Sequence, residues 1–141
     1  MKPLKSSRRI ALLPVVLGLF AIALTACGGT AQSGANVNVT LSEFKVAASQ
    51  TEFAAGKTYH FVVTNQGKTD HEFMIVPQAM GHMGMEDMHH VALAMIDKIA
   101  PGETRTLDYT FSASRDGLEF ACYYPGHYEA GMKQSILTKQ G

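Results

Sequence analysis

From Val37 onward apolar and polar residues alternate through most of the chain. Val37, Val39 and Leu41 are separated by Asn38, Thr40 and Ser42, the period of a strand with one buried face. Phe44 and Val46 resume the apolar series after a one-residue shift that reads as a bulge. Beyond the Ala55-Gly56-Lys57 turn, Tyr59, Phe61 and Val63 share one face of a strand over residues 59–64, with His60 on the opposite, solvent-facing side. Residues 65–68 form the next turn, and residues 71–76 a strand closed by Pro77. The rhythm then changes. Met88, Val91, Ala92, Met95, Ile96 and Ile99 recur at steps of three and four, which predicts an amphipathic helix within residues 86–100, stopped by Pro101-Gly102. Strand patterns return at residues 104–111, 118–122 and 134–138. About seven short strands separated by turns predict an all-β fold, an antiparallel sandwich of two packed sheets with one short inserted helix.

The first 26 residues differ from this body. Lys2, Lys5, Arg8 and Arg9 precede an apolar run over residues 10–26 that contains Pro14 and ends in Leu24-Thr25-Ala26-Cys27. The run is short for a membrane span, which needs about 20 apolar residues, and it has the order of a signal peptide. Its end resembles the bacterial lipobox, in which the Cys is lipidated and becomes the new N-terminus. The alternatives are an ordinary signal peptide in which Cys27 is incidental, or an uncleaved anchor. Residues 27–36, small and polar, read as a flexible tether, and residues 37–141 as the folded domain. The expected location is outside the cytoplasm, on a membrane facing the periplasm or the cell exterior, held by a lipid on Cys27.

Charge excludes one class of partner. The 12 basic and 12 acidic residues cancel, but four of the basic ones belong to the leader, so residues 27–141 carry a net charge of −4. A mildly acidic domain has no footprint for nucleic acid. Two cysteines cannot build a disulfide scaffold, and if Cys27 carries lipid, Cys122 is a lone exported thiol.

That thiol begins the run Cys122-Tyr123-Tyr124-Pro125-Gly126-His127-Tyr128-Glu129-Ala130-Gly131-Met132. Pro125, Gly126 and Gly131 exclude a continuous helix, so this is a loop able to fold a thiolate, an imidazole and a thioether toward one point. One more histidine completes a His₂Cys plane with a weak axial methionine, the donor set of a blue-copper centre. His71, at the start of its strand, is the candidate. Zinc also takes Cys and His, but a thioether is a poor zinc ligand. Each residue also has a plainer reading: a buried apolar Cys122, surface histidines, a core Met132.

The Cys-x4-His-x4-Met loop, with Asn65-Gln66-Gly67 and His71-Glu72-Phe73 upstream, resembles the cupredoxin family of small blue copper proteins over residues 37–141. The resemblance implies a Greek-key β-sandwich with one type 1 copper at its end, cycling between Cu(I) and Cu(II). It implies His71, Cys122, His127 and Met132 as ligands. It also implies an apolar docking patch around the Cys-loop histidine, for which Tyr123, Pro125 and Tyr128 are candidates. Glu72 departs from the family pattern, in which Asn or Ser at that position ties the ligand loops together; an ionised carboxylate cannot donate a hydrogen bond, which leaves Asp70 or Asn65 for the role.

Residues 80–90 hold a second cluster of soft and borderline donors. Met80, His82, Met83, Met85, Met88, His89 and His90 suggest a second, weaker copper site, against a reading of Met88 as core and the histidines as solvated. The expected function is a membrane-tethered one-electron carrier working between redox partner proteins. The alternative is an extracytoplasmic copper-binding protein for resistance, storage or delivery, meeting copper-handling proteins. The chain is expected to be a monomer and not an enzyme: copper oxidases and nitrite reductases need further domains and histidines, and a dinuclear purple centre needs two loop cysteines.

Overall fold

The computed structural model describes residues 35–78, 83–112 and 115–140. Cys27, the leader, and Met80 and His82 lie outside the described residues. The elements run β1 (Ala35–Ser42), β2 (Lys45–Ala48), β3 (Glu52–Ala54), β4 (Thr58–Asn65), β5 (His71–Pro77), α1 (Met85–Val91), β6 (Ala94–Ile99), β7 (Thr104–Thr110), β8 (Arg115–Ala121) and β9 (Lys133–Lys139). They form two sheets, β2-β1-β4-β7 and β3-β9-β8-β5-β6. The architecture is the expected two-layer β-sandwich with one short helix. The sheets are mixed rather than purely antiparallel, because the chain changes sheet between neighbours: β1 pairs β4, and β3 pairs β9, in parallel. β1 begins at Ala35, inside the segment read as tether.

Alternation did locate the core. In β4 every second residue is buried, with Tyr59, Phe61 and Val63 facing the opposing sheet. Phe53, Phe61, Phe73, Phe111 and Phe120 meet between the layers, with ring centroids 4.8 Å apart for Phe53–Phe111 and 5.0 Å for Phe73–Phe120. His60 lies on the outer face and contacts Asp108 at 2.6 Å. The shift after Leu41 is a hairpin, not a bulge: Ser42 pairs with Lys45, leaving Glu43 and Phe44 as its turn.

β5 is buried on both faces. Phe73 and Ile75 enter the main core, while Met74 and Val76 join a second cluster with Met88, Ala121, Tyr123 and Tyr128. Helix α1 therefore roofs the outer face of this sheet, with Met88 as its fully buried anchor.

The expected helix over residues 86–100 ends early. Only its first half is helical; residues 94–99 are strand β6, paired with β5. The three-residue step that mimicked a helix has another cause. His71 pairs with Ile99 and Phe73 with Ile96, so two steps along β5 oppose three along β6. This bulge brings both Ile96 and Ile99 inward, at spacing three, without any helical turn.

Candidate metal centre

His71 opens β5, Cys122 follows the last residue of β8, and the loop from Cys122 to Met132 leads into β9. β8 and β5 are neighbours in one sheet, so the thiol and the first imidazole are delivered to the same end of the sandwich. The loop is internally pinned. Cys122 N–H donates to Met132 O at 3.1 Å, Met132 N–H to His127 O at 3.0 Å, and His127 N–H to Tyr124 O at 2.8 Å. Gly126 and Gly131, at φ 82° and 102°, take the left-handed backbone that folds His127 back over Cys122.

The donor atoms of His71, Cys122 and His127 all lie within 4.8 Å of one another. The two Nδ1 atoms are 3.2 Å apart, and Cys122 Sγ is 3.4 Å from His127 Nδ1. Met132 is fully buried in the same core cluster as Cys122. His71 and Cys122 are also wholly buried; His127 is half-buried and reaches the surface.

Burial sets the protonation of these groups. It pushes the Cys122 thiol up to about 11, against the smaller opposing effect of the Glu72 and Tyr124 backbone N–H groups. Burial also lowers His71, with His127 adding to the effect. Both shifts favour the neutral side chain, so a cation bound through Cys122 displaces the thiol proton.

The surrounding residues hold this geometry. Asn65 braces the turn before His71: its Nδ2 donates to Thr69 O at 2.8 Å and Ile99 O at 2.9 Å, and its Oδ1 accepts from Gly67 N–H at 2.8 Å. Glu43 Oε1 accepts from Lys68 and Thr69 N–H, at 2.5 and 3.0 Å, and the first of these bonds chiefly holds its carboxyl down at about 2. The same oxygen lies 3.8 Å from His71 Nε2, which has no hydrogen-bond partner. Gly67 lets these groups approach, since a Cβ there would come within 2.6 Å of Glu43 Oε1 and 2.9 Å of His71 Nε2.

Glu72 ties the two ligand loops together, as acceptor rather than donor. Its Oε1 accepts from Tyr123 N–H at 2.5 Å, while its own N–H points at Cys122 Sγ at 3.5 Å. Asp70, one of the two residues considered for that role, pairs instead with Lys98 at 2.7 Å.

The expected patch around His127 needs correction. Tyr123 and Tyr128 are buried, stacked at 4.3 Å, because their rings complete the cluster beneath α1. Pro125 is exposed. The residue that packs on His127 from outside is Phe44, with ring centroids 5.2 Å apart and 45% of its surface exposed. Nothing in the local pattern identified it, since the β1–β2 turn and the Cys loop meet only in three dimensions.

The second cluster is divided among environments. Met88 is core, Met83 packs against the same cluster, Met85 and His90 are exposed, and His89 Nε2 contacts Glu72 Oε2 at 2.8 Å. The described thioethers are thus spread between core and solvent.

A buried thiol and two imidazoles at the end of a two-sheet sandwich, with a buried methionine beside them, suggest a type 1 copper centre on a cupredoxin-like fold. Solved structures share that fold: reduced auracyanin from Roseiflexus castenholzii superposes with a TM-score of 0.61 at 20% identity over 76% of this chain and 98% of its own. Auracyanin A, a "blue" copper protein from Chloroflexus aurantiacus, gives 0.56 at 17% identity over 76% of this chain and 100% of its own. Sequence comparison goes further. The copper-resistant cuproprotein CopI of Pseudomonas aeruginosa is 30% identical over 143 aligned positions, covering 77% of this chain and 78% of the relative, and the chain belongs to that family. CopI of Rubrivivax gelatinosus is 28% identical over 79% of this chain and 71% of its own, and that of Vibrio cholerae 42% identical over 54% and 47%. No protein-family model matches the chain.

Proposed function

We propose that this chain is an extracytoplasmic copper-binding cupredoxin that serves copper resistance, held at a membrane surface by lipidated Cys27. The observation that carries the reading is the meeting of His71, Cys122 and His127 donor atoms within 4.8 Å in a member of a family whose curated relatives are copper-resistant cuproproteins. Bound there, copper would bring tight thiolate coordination and one-electron chemistry. The chain supplies the rest. His71 and Cys122 hold their donors away from water, Met132 offers a soft thioether beside them, and His127 forms the half-exposed wall facing solvent. The pinned loop and the Asn65 brace keep the donors in place whether the centre is oxidised or reduced. The role is binding, with copper-handling proteins as the partners, and involves no turnover of a substrate.

A second reading, a one-electron carrier between redox partners, is favoured by one feature: His127 reaches the surface beneath the exposed ring of Phe44. The two readings separate in cells. Deleting the gene should make cells copper-sensitive, with wild-type protein restoring tolerance and Cys122→Ser failing to do so. Unchanged tolerance accompanied by a loss of respiratory electron flux would overturn resistance in favour of the carrier.

A further inference from the structure

We propose that Glu72, His89 and Asp97 form a second cation site, for Cu(II) or Zn(II), beside the His71–Cys122–His127 centre. Its donor atoms, one from each residue, lie within 4.8 Å of one another. Three separate elements build it. Glu72 lies on β5. Asp97 is brought beside it by the β5–β6 bulge, which fits Asp97 and Lys98 opposite that single position. His89 descends from the last turn of α1, the turn anchored by Met88.

The charges around Glu72 point to a cation. Its carboxylate is wholly buried, and a buried charge is costly unless compensated. Oε1 takes the Tyr123 N–H, leaving Oε2 facing His89 Nε2 at 2.8 Å and, beyond it, a second carboxylate, Asp97. The nearby ammonium of Lys98 is engaged by Asp70 at 2.7 Å. Two carboxylates therefore share one ionisable side-chain partner, the His89 imidazole paired with Glu72 at 2.8 Å, and a divalent ion held by all three would balance both charges.

The donor set selects the ion class. Carboxylate oxygen and imidazole nitrogen suit Zn(II) and Cu(II), whereas Cu(I) prefers sulfur. Ligands at about 2.0–2.2 Å from a metal lie at most about 4.4 Å apart, so a small rotation of the exposed Asp97 closes the set. The site differs from a thioether site in residues 80–90, from which it uses His89 alone. It stands independently of the copper-resistance reading, but it shares Glu72 with the copper loop, whose N–H faces Cys122 Sγ at 3.5 Å.

The test is calorimetric titration of the full chain, first loaded with one equivalent of copper, with Zn(II) and separately with Cu(II). One further equivalent of at least one ion should bind, and its arrival should shift the thiolate-to-copper absorption. Asp97→Asn and His89→Ala should each weaken that equivalent on the order of tenfold or more while leaving the first intact. Asp97 is exposed, so its substitution leaves the fold unchanged. In Cys122→Ser the second equivalent should persist. Absence of a second equivalent, or one that survives both substitutions, overturns the proposal. A colourless first equivalent would instead count against the copper reading alone.

Discussion

Glu72 and Gly67 show how single residues set the metal centre. Glu72 holds the Cys loop through the Tyr123 N–H, and burial raises its carboxyl above the usual range while His89 and that N–H oppose the rise. Gly67 acts by having no side chain. A Cβ at that position would press on Glu43 Oε1 at 2.6 Å, His71 Nε2 at 2.9 Å and Asn65 Oδ1 at 3.0 Å. All three belong to the assembly that orients His71. Gly67→Ala should therefore lower copper affinity about 10- to 100-fold, the usual cost of disturbing groups that orient a ligand, with the far-ultraviolet circular dichroism unchanged. Competition with a copper chelator checks this, and unaltered affinity would show that the turn yields without moving His71.

At the scale of elements, α1 is held to the sandwich mainly by one side chain. Met88 is fully buried against Met74, Val76, Ala121, Tyr123 and Tyr128. Met88→Ala should cost about 2–5 kcal/mol by opening a cavity there, while the copper equivalents bound stay the same. Chemical denaturation measured beside metal titration checks both parts; loss of a copper equivalent with unchanged stability would make Met88 a ligand instead of core. The same region shows why sequence periodicity has a limit. Spacing of three and four marks a helix only where each residue advances the phase uniformly. At β6 a bulge against β5 produced the same spacing in a strand. The Cys122–Met132 loop was legible because its donors lie on one continuous segment whose glycines require a turn. His71 was legible less directly, as the further histidine that the loop's donor set calls for, placed at the start of a strand, and the family resemblance implied the same residue. Phe44 and Asp97 were not, because the first reaches its neighbour across a hairpin turn and the second through a register shift.

On the scale of the whole molecule, the sandwich separates tasks by position. The aromatic core between the sheets fixes the strand ends, and β5 and β8 present His71 and Cys122 from adjacent strands at one end. Beyond the outer face of the same sheet, α1 brings His89 to Glu72, so the copper centre and the proposed cation site meet at one residue. Among the described residues no helix is long and apolar enough to cross a membrane; the attachment proposed here rests on Cys27. The central claim is that His71, Cys122 and His127 hold copper through the thiolate. Visible absorption of the full chain during Cu(II) titration tests it most directly. An intense thiolate-to-copper band should grow to one equivalent and vanish in Cys122→Ser. A wild-type chain that takes up Cu(II) without colour, or a band that persists in Cys122→Ser, would contradict it.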